Sequence, residues 1–178
     1  MSKIYKNGAF HEEDWIRVAS EEPVPASGNV LVPLARYLAE AESLSGSDAS
    51  IAVLVSPGDN VEDIVAHLDK LALVAVDFPK FSDGRGFSSA RVLREEFGYK
   101  GDIRAVGFYI LDQIPLLRRC GVSSFEIVKP EVLAALEKGE WPEVTRYLQP
   151  VGAVEEAPAG TRPWARLSLR SSTAEAAE

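Results

Sequence analysis

The chain has 178 residues, 46% of them hydrophobic, a formal charge of −8, two histidines and one cysteine. That length and apolar content suffice for a single core without staples. The lone Cys120 excludes an internal disulfide and a cysteine-only metal or cluster site, and an acidic chain without a Lys/Arg block is unsuited to wrapping nucleic acid.

No apolar run approaches the roughly 20 residues of a bilayer span, and residues 1–8 lack the apolar stretch of a secretory signal. The expectation is a soluble, cytoplasmic protein with no membrane and no nucleic-acid partner.

In chain order, Asn7-Gly8 between Tyr5 and Phe10 predicts a β-hairpin, with a further extended piece at 15–18. Residues 21–28, carrying Pro23, Pro25 and Gly28, read as a linker. A hairpin-and-linker unit at 1–28 thus precedes an α/β domain at 29–150. Leu31, Leu34, Ala35 and Leu38 recur at helical spacing, with Pro33 tolerated in the first turn. Residues 51–55 form an unbroken apolar run, as expected of a strand buried on both faces. Val61, Ile64, Val65, Leu68 and Leu71 then share a helical face behind Asp59 or Asn60 as cap. The strand signal returns at 73–76, 103–108 and 124–128. Between these lie one helix capped by Ser88, carrying Ala90, Leu93 and Phe97 and closed by Gly98, and another carrying Ile110, Ile114 and Leu117 and stopped by Gly121.

The alternation predicts an α/β fold: a small parallel sheet of about four strands with right-handed crossovers and helices on both faces. A complete eight-stranded α/β barrel needs about 250 residues and is excluded on count. Val132, Ala135 and Leu136, then Val144, Tyr147 and Leu148, predict a closing helical segment interrupted at Gly139 and Pro142. Residues 151–178, dominated by Ala, Glu, Pro, Gly and Ser, read as a flexible tail in which Trp164, Leu167 and Leu169 are candidate docking residues.

Parallel strands deliver their following loops to one edge, where open α/β sheets collect ligands. Here those loops are 56–59, 77–88, 109–112 and 129–131, and the second is the longest and most charged. Gly84 and Gly86 permit close backbone approach, Arg85 between them offers a planar fork, and Lys80, Ser88 and the amides of a following helix add donors. A small anion is the expected guest, with Asp77 or Asp83 as candidate bases. The competing structural role is a brace in which Asp77 and Asp83 pair with Lys80 and Arg85. Arg94 is a further candidate binding residue. Asp112 reads as a helix cap with a supporting role at the same edge. The arginines at 91, 94, 104, 118 and 119 also have Glu95, Glu96 and Asp102 within reach as partners.

Gly84-Arg-Gly86 has neither the third glycine of a dinucleotide fingerprint nor the lysine of a phosphate-binding loop. No flavin, nicotinamide, haem or cluster motif is present, so no cofactor is expected. His11 and His67 lie far apart in sequence and suggest no metal, and Cys120 reads as a small hydrophobe at a helix end, where the dipole opposes a thiolate.

Residues 77–94 (Asp-Phe-Pro-Lys-Phe-Ser-Asp-Gly-Arg-Gly-Phe-Ser-Ser-Ala-Arg-Val-Leu-Arg), with 98–107, Asp112-Gln113 and Arg118-Arg119-Cys120-Gly121, resemble a bacterial family of unknown function. Its genes tend to accompany assimilatory sulfite reductase, and it is sometimes labelled an oxidoreductase of sulfite reduction. The resemblance spans roughly residues 28–128. It implies an accessory role in sulfite assimilation, with sulfite reductase as partner. The alternative is a small stand-alone enzyme or binding protein acting on an oxyanion or phosphate-bearing ligand. Exposed edges of a small sheet also leave room for a homodimer.

Overall fold

The computed structural model describes residues 2–19, 21–44 and 46–142, together with the backbone of Arg146–Tyr147 and Arg166–Leu167. Asn7 (φ 52°) and Gly8 (φ 78°) both occupy left-handed backbone. That conformation matches the twist of a tight hairpin, and it joins strand β1 (Ser2–Lys6) to β2 (Ala9–Glu13) in antiparallel register, Lys6 opposite Ala9. The short β3 (Ile16–Arg17) follows.

Next comes a strand that the sequence reading missed. Residues Ser27–Pro33 form β4, and helix α1 (Leu34–Leu44) begins at the next residue. With no loop between them, the apolar residues of strand and helix run together and mimic one helical period. Alternation settles the matter: Val30 and Val32 are fully buried on one face, and Leu31 is buried on the other.

The expected strands at 51–55, 73–76, 103–108 and 124–128 appear as β5 (Asp48–Val55), β6 (Leu73–Phe78), β7 (Asp102–Gly107) and β8 (Ser124–Glu126). Their crossovers contain a 3-10 helix (Val61–Lys70) capped by the Asn60 side chain, helix α2 (Arg85–Arg91) running into a π turn (Val92–Glu96), and helix α3 (Ile114–Arg119). Helix α4 (Pro130–Glu137) closes the described α/β region. Of the predicted continuation at Val144, Tyr147 and Leu148, only the Tyr147 backbone is described. It is extended, in β9 (Arg146–Tyr147), paired antiparallel with β10 (Arg166–Leu167). The rest of that segment and of the predicted tail lies outside the described residues.

The sheet has eight strands, not about four, in the order β2-β1-β8-β7-β6-β5-β4-β3. Neighbours from β3 to β8 pair in parallel, and β1 pairs antiparallel with both β8 and β2. The expectation of helices on both faces is also corrected. Strand order from β4 to β8 never reverses, so successive right-handed crossovers deposit every helix on the same face; a second covered face requires a reversal of winding. On that face Val32, Val53, Val74, Val76 and Ile103 pack against Tyr37, Ile64, Leu93 and Leu117. The opposite face carries Leu31, Ala52, Leu73, Ala75 and Val106, with Trp15 and Leu54 packed against them and, among the described residues, no helix.

That second face is buried because the sheet curls on itself. Edge strands β2 and β3 are separated in sequence only by Asp14 and Trp15. Three residue steps of at most about 3.6 Å bring the two edges within about two strand spacings. Across the concave interior, Arg17 on β3 pairs with Glu126 on β8, and Arg104 on β7 pairs with Glu13 on β2 at 2.8 Å. An eight-stranded, barrel-like curl thus fits this short chain, because β1, β2 and β3 carry no helices.

Candidate functional site

Strands β4 to β8 run parallel, so the loops after them gather at one edge. The loop after β5 closes on itself: the Ser56 amide donates to Asp59 Oδ2 at 2.7 Å. In the loop after β6, Asp83 accepts from Arg85 Nε at 2.9 Å and Nη2 at 2.7 Å, and its Oδ1 also accepts from the Arg85 backbone amide at 3.3 Å. These hydrogen bonds from Arg85, aided by Lys80, pull the Asp83 carboxyl down to a pKa of about 2. Part of the structural brace is therefore present. Asp83 and Arg85 lock each other, while no ion pair joins Asp77 to Lys80 among the described residues.

Arg85 retains donors after this pairing, since Asp83 engages Nε and Nη2 of a five-donor fork. Its side chain is 63% exposed, and Nη1 faces Gly58. Lys80 is exposed one turn earlier, where its carbonyl accepts from the Asp83 amide at 3.1 Å. Gly84 is exposed at the helix entrance. Gly86 serves packing and not ligand approach. A Cβ there would lie 2.7 Å from Phe78 Cζ and 2.9 Å from Val76 Cγ1, so its hydrogen lets α2 sit tightly on β6. Ser88 does not cap the helix. It sits inside α2 on the exposed side, and Gly84 holds the cap position. Asp112 is exposed within the 3-10 turn Leu111–Gln113, and the capping contact there is Gln113 Oε1 accepting from the Ile110 amide at 3.0 Å.

Arg94 lies at the opposite edge of the sheet. Its guanidinium donates to the carbonyls of Tyr99, Gly101 and Gly121, the last at 2.8 Å through Nη2. It fastens the π turn to the segments entering β7 and β8 and shares no contact with the Asp77–Arg85 loop. Cys120 is half-buried against the core, and burial raises its thiol pKa. His67 meets the Tyr37 ring edge-on at 5.5 Å. No group of three or more His, Cys, Asp or Glu among the described residues is arranged to hold a metal ion.

Asp77 turns away from the loop and into the concave interior. In β6, Leu73, Ala75 and Asp77 alternate onto that face, and Asp77 aligns with Val106 of β7. Glu126 lies two residues beyond Ser124, which aligns with Arg104, so the carboxylates of β6 and β8 flank Val106 at one level. Arg17 reaches this level from β3 and pairs with Glu126. Burial raises the Asp77 carboxyl above the usual range, with Asp83 and Glu126 adding to the rise and Arg17 and the Phe78 amide opposing it. Sequence reasoning missed Arg17 and Glu126. They stand 109 positions apart, and only the curl brings them together.

Deeper in the interior is a buried polar cluster. Arg104, 5% exposed at its side chain, donates from Nε to Ser124 Oγ at 3.0 Å and pairs through Nη2 with Glu13 and Asp102. Trp15 Nε1 donates to the same Glu13 carboxylate at 2.7 Å, and its ring lies 5.8 Å from the Arg104 guanidinium carbon. Burial pushes the Asp102 carboxyl upward, but donors from Ser123 and Ser124 together with Lys6 and Arg104 outweigh it, and the net shift is downward. The remaining space, lined by Trp15, Arg17, Leu31, Ala75, Arg104 and Val106, is about 10 Å³. That is the scale of a single water, so a ligand must sit at the mouth. Two larger clefts, about 430 and 380 Å³, open at the opposite edge beside Phe97 and Tyr99 and beside Tyr37 and Ile51. Their ionisable lining is Asp69, Tyr99 and Lys100 in the first and Tyr37 and Lys70 in the second.

No helix among the described residues is long and apolar enough to cross a membrane. A search of curated proteins finds no match to the chain. A family profile matches residues 52–157, the stretch that carries β6, β7, β8 and the charged loop between β6 and α2. The chain belongs to the family of bacterial proteins of unknown function DUF934.

Proposed function

We propose that this chain is a cytoplasmic accessory protein of assimilatory sulfite reduction that takes a small oxyanion at the loop after β6. The assimilation context, with sulfite reductase as partner, rests on the resemblance carried by residues 77–121. The anion reading rests on one observation: Arg85 is exposed yet held by two side-chain hydrogen bonds to Asp83, so its remaining donors are pre-aimed beside Gly58. Fixing a guanidinium in advance removes part of the ordering cost of binding.

The neighbouring Asp83 carboxylate works against an anion, which favours a weak, readily exchanged ligand over a tightly held one. Calorimetry with sulfite, sulfate and phosphate tests the loop. Contacts to an exposed guanidinium are screened by water, so Arg85→Ala is expected to weaken binding roughly two- to fivefold. Equal affinity in wild type and Arg85→Ala rejects the loop site. Co-elution with sulfite reductase and a change in its turnover test the partner, and absence of both rejects the accessory role.

A further inference from the structure

The mouth of the curled sheet assembles charged groups that an anion site at the β6 loop leaves unused. They come from three strands: Arg17 from β3, Asp77 from β6 and Glu126 from β8. Asp77 and Glu126 are two strands apart on one level, about 10 Å along the sheet, a span suited to a small molecule. Arg17 pairs with Glu126, and its charge also acts through space on Asp77.

The end of β7 is shaped around the Asp77 carboxylate. Gly107 has φ 96°, and a Cβ there would lie 2.9 Å from Asp77 Oδ1 and 2.5 Å from the Phe78 carbonyl oxygen. Any side chain at 107 would displace the carboxylate. Beneath it Ala75, Val106 and Leu31, with Arg104 deeper, leave only about 10 Å³ of space. A half-buried carboxylate therefore sits over a nearly filled floor, and half of the Arg17 side chain is still exposed.

We propose that Asp77, Arg17 and Glu126 form a proton-transfer site at this mouth for a small carboxylate- or oxyanion-bearing substrate. Arg17 holds the substrate's negative end. A proton passes from an acidic C–H, N–H or O–H of the substrate to Asp77 Oδ, and the electron pair left behind stays on the substrate, stabilised by the Arg17 charge. Return of that proton to a second atom of the same molecule restores Asp77, so the cycle is an isomerisation that needs no oxidant, reductant or second reactant. Glu126 is a positioning residue that orients Arg17 and yields its place when the substrate anion arrives. Asp77 suits this chemistry better than Asp83, because burial raises its pKa whereas the Arg85 hydrogen bonds pull the Asp83 carboxyl down to about 2. The groups facing Asp77 are Arg17 from β3, Glu126 from β8 and Asp83 from the following loop.

The test uses the full chain with malonate as probe and follows the Asp77 carboxyl carbon by NMR across pH. In wild type, malonate should shift the Asp77 resonance and raise its titration midpoint, because a second anion arrives beside it. Arg17→Gln should abolish the malonate effect and by itself raise the midpoint. Arg85→Ala should leave the effect intact, which separates this site from the loop. Glu126→Gln should tighten malonate roughly two- to fivefold, the worth of an ion pair whose arginine is half exposed. The proposal is overturned if malonate leaves Asp77 unmoved, if its effect survives Arg17→Gln, or if Arg85→Ala removes it. An unchanged malonate affinity in Glu126→Gln overturns the role given to Glu126.

Discussion

Replacing Arg104 by Met tests how much one buried cation adds to the β1–β8 pairing in holding the N-terminal hairpin to the curled sheet. Met fills much of the volume of the arginine stem while removing the charge, its donors and the guanidinium contact with the Trp15 ring. What remains is Asp102, 10% exposed, and Glu13, 31% exposed, each without its guanidinium partner. Removing one member of a buried ion pair costs about 3–5 kcal/mol. Lys6 still stands 3.2 Å from Asp102, and Trp15 still donates to Glu13, so the low end, about 3 kcal/mol, is expected.

For a chain of this size that loss lowers Tm by roughly 6–12 °C, read by calorimetry and checked by urea unfolding. The double variant Arg104→Met, Asp102→Asn, which restores the net charge of the cluster, should recover about 1–2 kcal/mol, because the carboxylate that has lost its guanidinium partner is then gone. Asp102 supplies a second check through pH. Its folded pKa is lowered, so its stabilisation is complete above the ordinary value of 3.8 and fades as pH falls through the folded value. Wild type should lose stability on acidification below about pH 4 more steeply than Asp102→Asn. A loss under about 1 kcal/mol in Arg104→Met, or no recovery in the double variant, refutes the latch.

Two further substitutions probe the mouth. Gly107→Ala places a Cβ against the Phe78 carbonyl in left-handed backbone, and strain plus overpacking should cost about 2–4 kcal/mol in urea unfolding; a neutral result would mean that β7 can move away. Asp77→Asn reports the opposite linkage from Asp102. The folded pKa of Asp77 is raised, so the penalty of ionising it is absent below its unfolded value and grows as pH rises through the folded one. Asp77→Asn should therefore raise Tm at pH 7 and leave it unchanged near pH 3; the same gain at both would place the effect in packing instead.

Periodicity and turn chemistry carried much of this structure. Asn7-Gly8 specifies its hairpin because few residues other than Asn and Gly accept positive φ in succession. The apolar runs at 51–55 and 73–76 declare strands buried on both faces, since no polar residue interrupts them. The edge at which the charged loops gather follows from parallel pairing alone, and the Asp83–Arg85 lock is a contact between residues two apart.

Tertiary structure decided the rest, because it depends on strand order and curvature, which no local pattern encodes. Strand β4 hid behind a helical spacing, as its burial alternation shows only once a sheet exists. Winding in a single direction put all the helices outside, and the curl sent Trp15 and Arg104 to the interior. Asp77, which by position belongs to the charged loop, points instead into the mouth, where Arg17 and Glu126 meet it from opposite ends of the described chain. Local chemistry thus located the edge, and the closing of the sheet determined which residues share it.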